Sequence, residues 1–310
     1  MAGTLMRSTD FRAVVEPILN ETFDGVYNQR ADEYKMIFRE EQGIARAYHE
    51  EPMLYGLGAA PELPDGMPVT YDQGGQLFVK RYPYKVFGLA FALTKVLVED
   101  GDHIRIGSTY SRHLAQSMVE TLETTTANVL NRAFNGSYVG GDGVALVVNN
   151  HVSANGAAAG AASRSNLLTT SAALSQTSLE QMLIQIRSAE DPRGKKIRLT
   201  PKKLVVAPAN MLTAEVLVKS VLRAGTNNND LNPVKSMGLL SDVAVISRLT
   251  SNTAWFVKND VQDGLKVLWR RKMEKGMEGD FETDSVRYKS TMRYADGWTD
   301  WRDLFGTPGT

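Results

Sequence analysis

Proton or metal chemistry would call on histidine first. His49, His103, His113 and His151 are scattered, and none sits in a His-Glu-x-x-His pattern or another ligand spacing, so zinc chemistry is not expected. The chain contains no cysteine. That removes a disulfide framework, a thiolate metal site and a cysteine nucleophile together. No Gly-x-Ser-x-Gly elbow prepares a serine for attack, and neither Gly-x-x-x-x-Gly-Lys-Ser/Thr nor Gly-x-Gly-x-x-Gly occurs. Gly140-Gly-Asp-Gly143 reads as a glycine-rich turn. Glu120 and Glu123, three apart on one helix, have the spacing of a carboxylate pair, but without a histidine partner they are expected on a solvated face. Glu50-Glu51 and Asp100-Gly-Asp102 have the composition of a cation site and equally that of ordinary acidic turns. Trp255, Trp269, Trp298 and Trp301 are expected as core or interface anchors. No catalytic, cofactor-binding or metal-ligating set emerges, and a non-enzymatic role is expected.

Elements that position such residues need a core, and 310 residues with 43% hydrophobic and 23% charged composition can bury one. No run approaches the ~18 uninterrupted apolar residues of a membrane span, and Met1 to Asp10 lacks the apolar stretch of a secretory signal. Thirty-five basic and 35 acidic residues give zero net charge, which offers little colloidal protection and favours association. The balance is uneven: net −6 over residues 1–102, −1 over 103–192 and +7 over 193–310. The densest basic stretch, Arg193-Gly-Lys-Lys-Ile-Arg198 with Lys202 and Lys203, holds no aromatic and reads as a solvated loop beside a strand.

Along the chain, Phe11, Val14, Val15, Ile18, Leu19 and Phe23 have helical spacing, with Pro17 expected to shorten or kink the helix. Residues 52–75 carry four prolines and five glycines, which argues for a long irregular excursion. Strand-like pieces flank it, Ile44 to Tyr48 and Leu77 to Ala92, and suggest a two-stranded arm with an irregular tip. Tyr110, Leu114, Met118, Leu122, Val129, Ala133 and Phe134 mark one long helix over 103–135, capped by Ser108 or Thr109 and ended by Asn135-Gly136. Residues 153–176, rich in small and polar types, read as a flexible connection. Thr177-Ser-Leu-Glu180 matches a capping box for the next helix. Lys203–Val206, a helix over Asn210–Leu222, a polar turn at 225–230, and strands at Val243–Ile246, Ala254–Val257, Leu265–Trp269 and Val286–Tyr294 complete the reading.

This order of elements resembles the major capsid protein of tailed bacteriophages, a fold shared with encapsulins and the floor of herpesvirus capsids. Ser111 to Phe134 with Gly141–Leu146 and Asn150-His151 is similar to the spine helix and its exit in Mu-like head proteins. Asp191 to Pro208 resembles the entry to the axial domain in that group, and Tyr294 to Phe305 its closing strand. The resemblance implies an α+β fold: N-terminal arm 1–43, extension loop 44–92, peripheral domain with spine helix 93–152, axial domain 153–260 and peripheral closing strands 261–310. It implies a shell subunit that self-assembles into hexamers and pentamers around double-stranded DNA, icosahedral or prolate, with an encapsulin-like compartment as the alternative. Its partners would be its own copies, a separate scaffold, a portal and, optionally, a decoration protein, with packaged DNA held non-specifically and no membrane or cofactor. Its location would be the virion, and the host cytoplasm during assembly. Intersubunit contacts are expected from Lys80, Arg81 and Lys85 on the loop strand, Asp65 and Asp72 in the tip, and Asn227, Asn228, Asn229 and Asp230 in the axial turn. Some members join these regions by a Lys–Asn isopeptide bond; the sequence places no glutamate beside Lys80, and cross-linking is not expected.

Overall fold

The computed structural model describes residues 8–29, 32–94, 103–154, 164–223, 230–280 and 285–310. Two four-stranded sheets and one projecting hairpin carry the α+β architecture. The first sheet has the order β1-β8-β9-β4, from β1 (Arg39–Gln42), β8 (Leu265–Asp280), β9 (Ser285–Trp298) and β4 (Lys85–Leu93). β1 runs parallel to β8, and the other pairs are antiparallel. The second sheet has the order β10-β7-β5-β6, from β10 (Leu304–Thr307), β7 (Trp255–Asn259), β5 (Pro201–Val206) and β6 (Asp242–Val245). Only β5 and β6 are parallel there. β2 (Tyr48–Tyr55) and β3 (Gly75–Pro83) form the hairpin.

Helix α2 (His103–Asn131) spans about 43 Å at 1.5 Å per residue. Leu114, Met118, Leu122, Val129 and Ala133 are buried as the periodicity requires, while Tyr110 is half exposed and meets the Phe91 ring of β4 at a tilt of 33°. The helix starts before Ser108 and Thr109, so neither caps it. Gly107 lets the first turns pack closely: a Cβ there would already touch Leu19 of α1 (Ser8–Gln29) and Leu93 of β4. At the other end the helix stops at Asn131, whose amide donates to Arg248 O and accepts from Thr250 N–H.

Pro17 does not shorten α1, which runs Ser8–Gln29 with the proline exposed on its outer face. Buried Leu19 and Phe23 hold it on α2, and Ser111 donates to Leu19 O. The arm predicted from Ile44–Tyr48 and Leu77–Ala92 is built differently. Pairing of β2 with β3 ends at Tyr48 and Pro83, and β4 then turns to pair with β9 along its whole length. Strand β8 extends eleven residues beyond Trp269 because two bulges, after Trp269 and Arg271, let a charged run stay in register with β9.

Residues 164–168 are packed, and Ala172 and Leu174 also touch the core, so this part is not a flexible connection; residues 155–163 of the predicted linker lie outside the described residues. Fully buried Asn166 accepts from Val148 N–H and donates to Leu146 O and Leu304 O. Helix α3 (Gln176–Arg187) is capped by Ser175 and Ser178 reciprocally, two residues earlier than the predicted box, since a serine hydroxyl can fill both roles. Glu180 instead accepts from Gln176. Helix α4 (Met211–Lys219) is preceded by a 3-10 turn, Pro208–Asn210. Most of the polar turn, residues 224–229, lies outside the described residues. All four tryptophans are buried.

Candidate assembly interface

The hairpin is rooted in a polar cluster. Lys266 of β8 is 2% exposed, and its Nζ lies 2.8 and 3.0 Å from the Glu51 carboxylate on β2. Thr299 donates to the same carboxylate at 2.6 Å and meets the Tyr82 hydroxyl at 2.5 Å. Burial works against the charged Glu51, but hydrogen bonds from Lys266 and Thr299 hold its carboxyl below the usual range. Glu50, on the opposite face, pairs with Arg81. The Glu50-Glu51 pair is therefore two ion pairs within the chain, not a cation site. Asp100-Gly-Asp102 lies outside the described residues.

Beyond Tyr55 and before Gly75 the chain is an irregular tip, exposed at every residue except half-buried Gly58, which strand pairing cannot hold. Its anchor is Asp72, whose carboxylate accepts from Arg193 Nη1 at 2.7 Å and Nη2 at 3.1 Å, and from Gly58 N–H at 2.6 Å. The Arg193 hydrogen bond, with those from the backbone, holds the Asp72 carboxyl down at about 2. Arg193 also donates to Gly56 O, and Lys195 to Leu57 O. The basic stretch read as a solvated loop is thus the clamp that grips the tip. Gly66, at φ +79°, makes the turn in which Met67 N–H reaches Pro64 O. Asp65 lies in that turn, exposed and with no partner among the described residues.

Lys80, Arg81 and Lys85 do not lie together. Alternation along β3 sends Arg81 outward to Glu50 and the Tyr48 ring. Lys80 points the other way, donates to Val139 O at 3.0 Å and lies 5.1 Å over the Trp298 ring. Lys85, on β4 beyond the Pro83 break, stays exposed at the rim of the same cavity of about 310 Å³. Asp230 is exposed, and its carbonyl accepts from Arg223 N–H; Asn227, Asn228 and Asn229 lie outside the described residues.

Glu120 and Glu123 part company too. Glu120 reaches Arg248 at 2.6 Å on the surface. Glu123 is not solvated: it is 3% exposed and accepts from Tyr34 N–H at 3.1 Å. Burial pushes its carboxyl up to about 7, against the pull of Arg248. The turn Gly140–Gly143 presents Asp142 to His151 Nδ1 at 2.6 Å, and the imidazole stacks on Trp301 at 4.1 Å. This group is a packing node that the sequence did not reveal; its only trace was a glycine turn followed eight residues later by a histidine. Among the described residues, no group of three or more acidic or histidine side chains is placed to hold a metal ion. No described helix is long and apolar enough to cross a membrane.

Several solved structures share this fold. The capsid of cyanophage P-SCSP1u aligns over 91% of this chain and 89% of its own, at 10% identity and a TM-score of 0.56. A chain of Microbacterium phage Oxtober96 aligns over 91% and 92%, at 9% identity and 0.53. The capsid of a native GTA particle aligns over 90% of both chains, at 10% identity and 0.53. No curated protein matches by sequence. A family model described as phage capsid protein matches residues 80–305, from the foot of the hairpin to the last strand. With that stretch matched and the fold repeated in phage shells, the chain belongs to the phage capsid protein family.

Proposed function

We propose that this capsid protein is the repeating subunit of a phage head, joining as hexamers and pentamers into a closed shell, icosahedral or prolate, around double-stranded DNA. The observation that carries the reading is surface. The chain exposes 17347 Å², where a compact monomer of 34.1 kDa exposes roughly 12,800 Å². Part of that surface is apolar side chain on the tip, where Leu57, Leu63, Met67, Val69 and Tyr71 are all more than half exposed. Repeated contacts between copies are what would cover it.

Within this reading, residues 44–83 act as the extension loop, a boundary earlier than one at 92 because β4 is part of the first sheet. The second sheet acts as the axial domain and takes in β10 from beyond residue 260. A scaffold protein and a portal serve assembly in the host cytoplasm, and the interior holds DNA without sequence preference. The chain works by geometry, not by turnover. Negative-stain microscopy and light scattering of the purified chain, followed by DNA assay of nuclease-treated particles from infected or induced cells, test it. Shells protecting DNA are expected. Shells holding a protein cargo and no DNA indicate a storage compartment, and a 34 kDa species persisting at every concentration and salt overturns the shell reading.

A further inference from the structure

We propose that the cavity at the foot of the hairpin is a socket for the acidic tip, Glu62 to Asp65, of a second copy of the chain. The inference rests on the shell reading and adds to it the receiving site and its chemistry. Lys80, Lys85 and Arg132 line the cavity with one carboxylate, Asp296. Among the described residues none of these four makes an ion pair. Lys80 is satisfied by a carbonyl, the Arg132 guanidinium carbon lies 4.3 Å from the centre of the Tyr138 ring, and Lys85 has no hydrogen-bond partner among the described residues. The next carboxylate, Asp142, is committed to His151. Two positive charges therefore remain uncompensated in a half-enclosed space, where charge is less screened than on an open surface. Burial lowers Lys80 against the pull of Asp142 and Asp296, and raises Asp296 against the pull of Lys85, Arg132 and Lys80.

The chemistry of the walls narrows the occupant. One face each of Trp298 and Tyr138 is covered by Lys80 and Arg132, so cations stand in front of the rings. What fits is a pair of carboxylates on a narrow piece of backbone. Glu62 and Asp65 are such a pair, three residues apart around Pro64, exposed and unpartnered among the described residues. Two negative charges meet an excess of two positive ones. The tip cannot serve its own cavity. Asp72 is clamped to Arg193, and β3 alone puts its nine residues, roughly 30 Å, between tip and foot. The partner is another copy.

The test uses the full chain. Lys85→Glu with Arg132→Glu reverses the socket at two exposed positions, and Glu62→Lys with Asp65→Lys reverses the tip. Each double variant is expected to keep the wild-type circular dichroism and to need a roughly ten-fold higher concentration to form shells. Mixing the two variants, or joining all four substitutions in one chain, is expected to restore assembly. Shells forming from Lys85→Glu/Arg132→Glu at the wild-type concentration overturn the socket, and so does failure of the four-fold variant when both parents are blocked. Carbodiimide cross-linking of assembled wild-type protein, half of it isotope-labelled, needs no variant and covers the case of misfolding. Links from Glu62 or Asp65 to Lys80 or Lys85 between labelled and unlabelled copies are expected, and their absence from intact shells overturns the proposal. Wild-type protein that never assembles overturns the shell reading itself, whereas normal shells without these links overturn only the socket.

Discussion

Two buried ionic groups have opposite fates when the surroundings change. Glu123 enters the fold without a cation close enough to pair with it, and its carboxyl is pushed up to about 7 from 4.5. A folded-state value above the unfolded one means that the protonated form supports the fold. That support is complete below about pH 4.5 and is lost as pH rises through about 7. Glu123→Gln mimics the protonated acid and still accepts from Tyr34 N–H. It should change stability little at pH 4 and raise it by ~1–3 kcal/mol at pH 8, measured by thermal melts of the two proteins at both values. An equal effect at both would mean that Glu123 is solvated. Lys266 is the reverse case, a buried cation matched to Glu51. Lys266→Met should cost ~3–5 kcal/mol by stranding the carboxylate. Adding Glu51→Leu should recover most of the loss in urea melts, because apolar replacement of both partners removes the stranded charge.

At the scale of elements, the fold depends on where the hairpin is held. Its foot is fixed by Lys266 and Thr299, and its tip by Arg193 and Lys195. Only the second hold is exposed. Arg193→Ala should leave the melting behaviour unchanged and speed proteolysis between Met53 and Gly75 in unassembled protein, with assembly protecting the same bonds. Cleavage no faster than in the wild type would show that the clamp does not hold the tip. The spine helix was legible in sequence because its apolar residues recur at one spacing over many turns, and so was the excursion at 52–75, where proline and glycine forbid pairing. The switch of β4 from hairpin to sheet was not legible: the alternation over residues 80–88 runs straight across it, and alternation says nothing of which partner a strand takes. Nor was the length of β8, since its bulges break the period. The tip anchor stayed hidden for a different reason. Asp72 and Arg193 are 121 residues apart, and local spacing carries no trace of such a pair.

On the scale of the whole molecule, the surface must be divided between what keeps a free subunit soluble and what joins subunits. Zero net charge gives little repulsion between copies, so contact is limited by geometry. The tip supplies that geometry, and Tyr71 is its most exposed large residue at 97%, with Val69 at 68%. Neither contributes to the core of its own chain. Replacing such residues should therefore leave folding stability within about 0.5 kcal/mol of the wild type. Assembly is another matter, because full burial of a large apolar side chain against a neighbour contributes ~1.5–3 kcal/mol. Each 1.4 kcal/mol is tenfold in an equilibrium constant, and a closed shell repeats the contact in every subunit. Tyr71→Ser with Val69→Ser should thus raise the concentration at which light scattering first detects shells by roughly a hundredfold or more. Added salt separates this term from the charged one, since it weakens the ion-paired contacts within about 10 Å screening at 0.1 M and leaves apolar burial intact. If the double variant assembles at the wild-type concentration in both low and high salt, the tip's apolar face lies outside the interface and subunits join through the sheets instead.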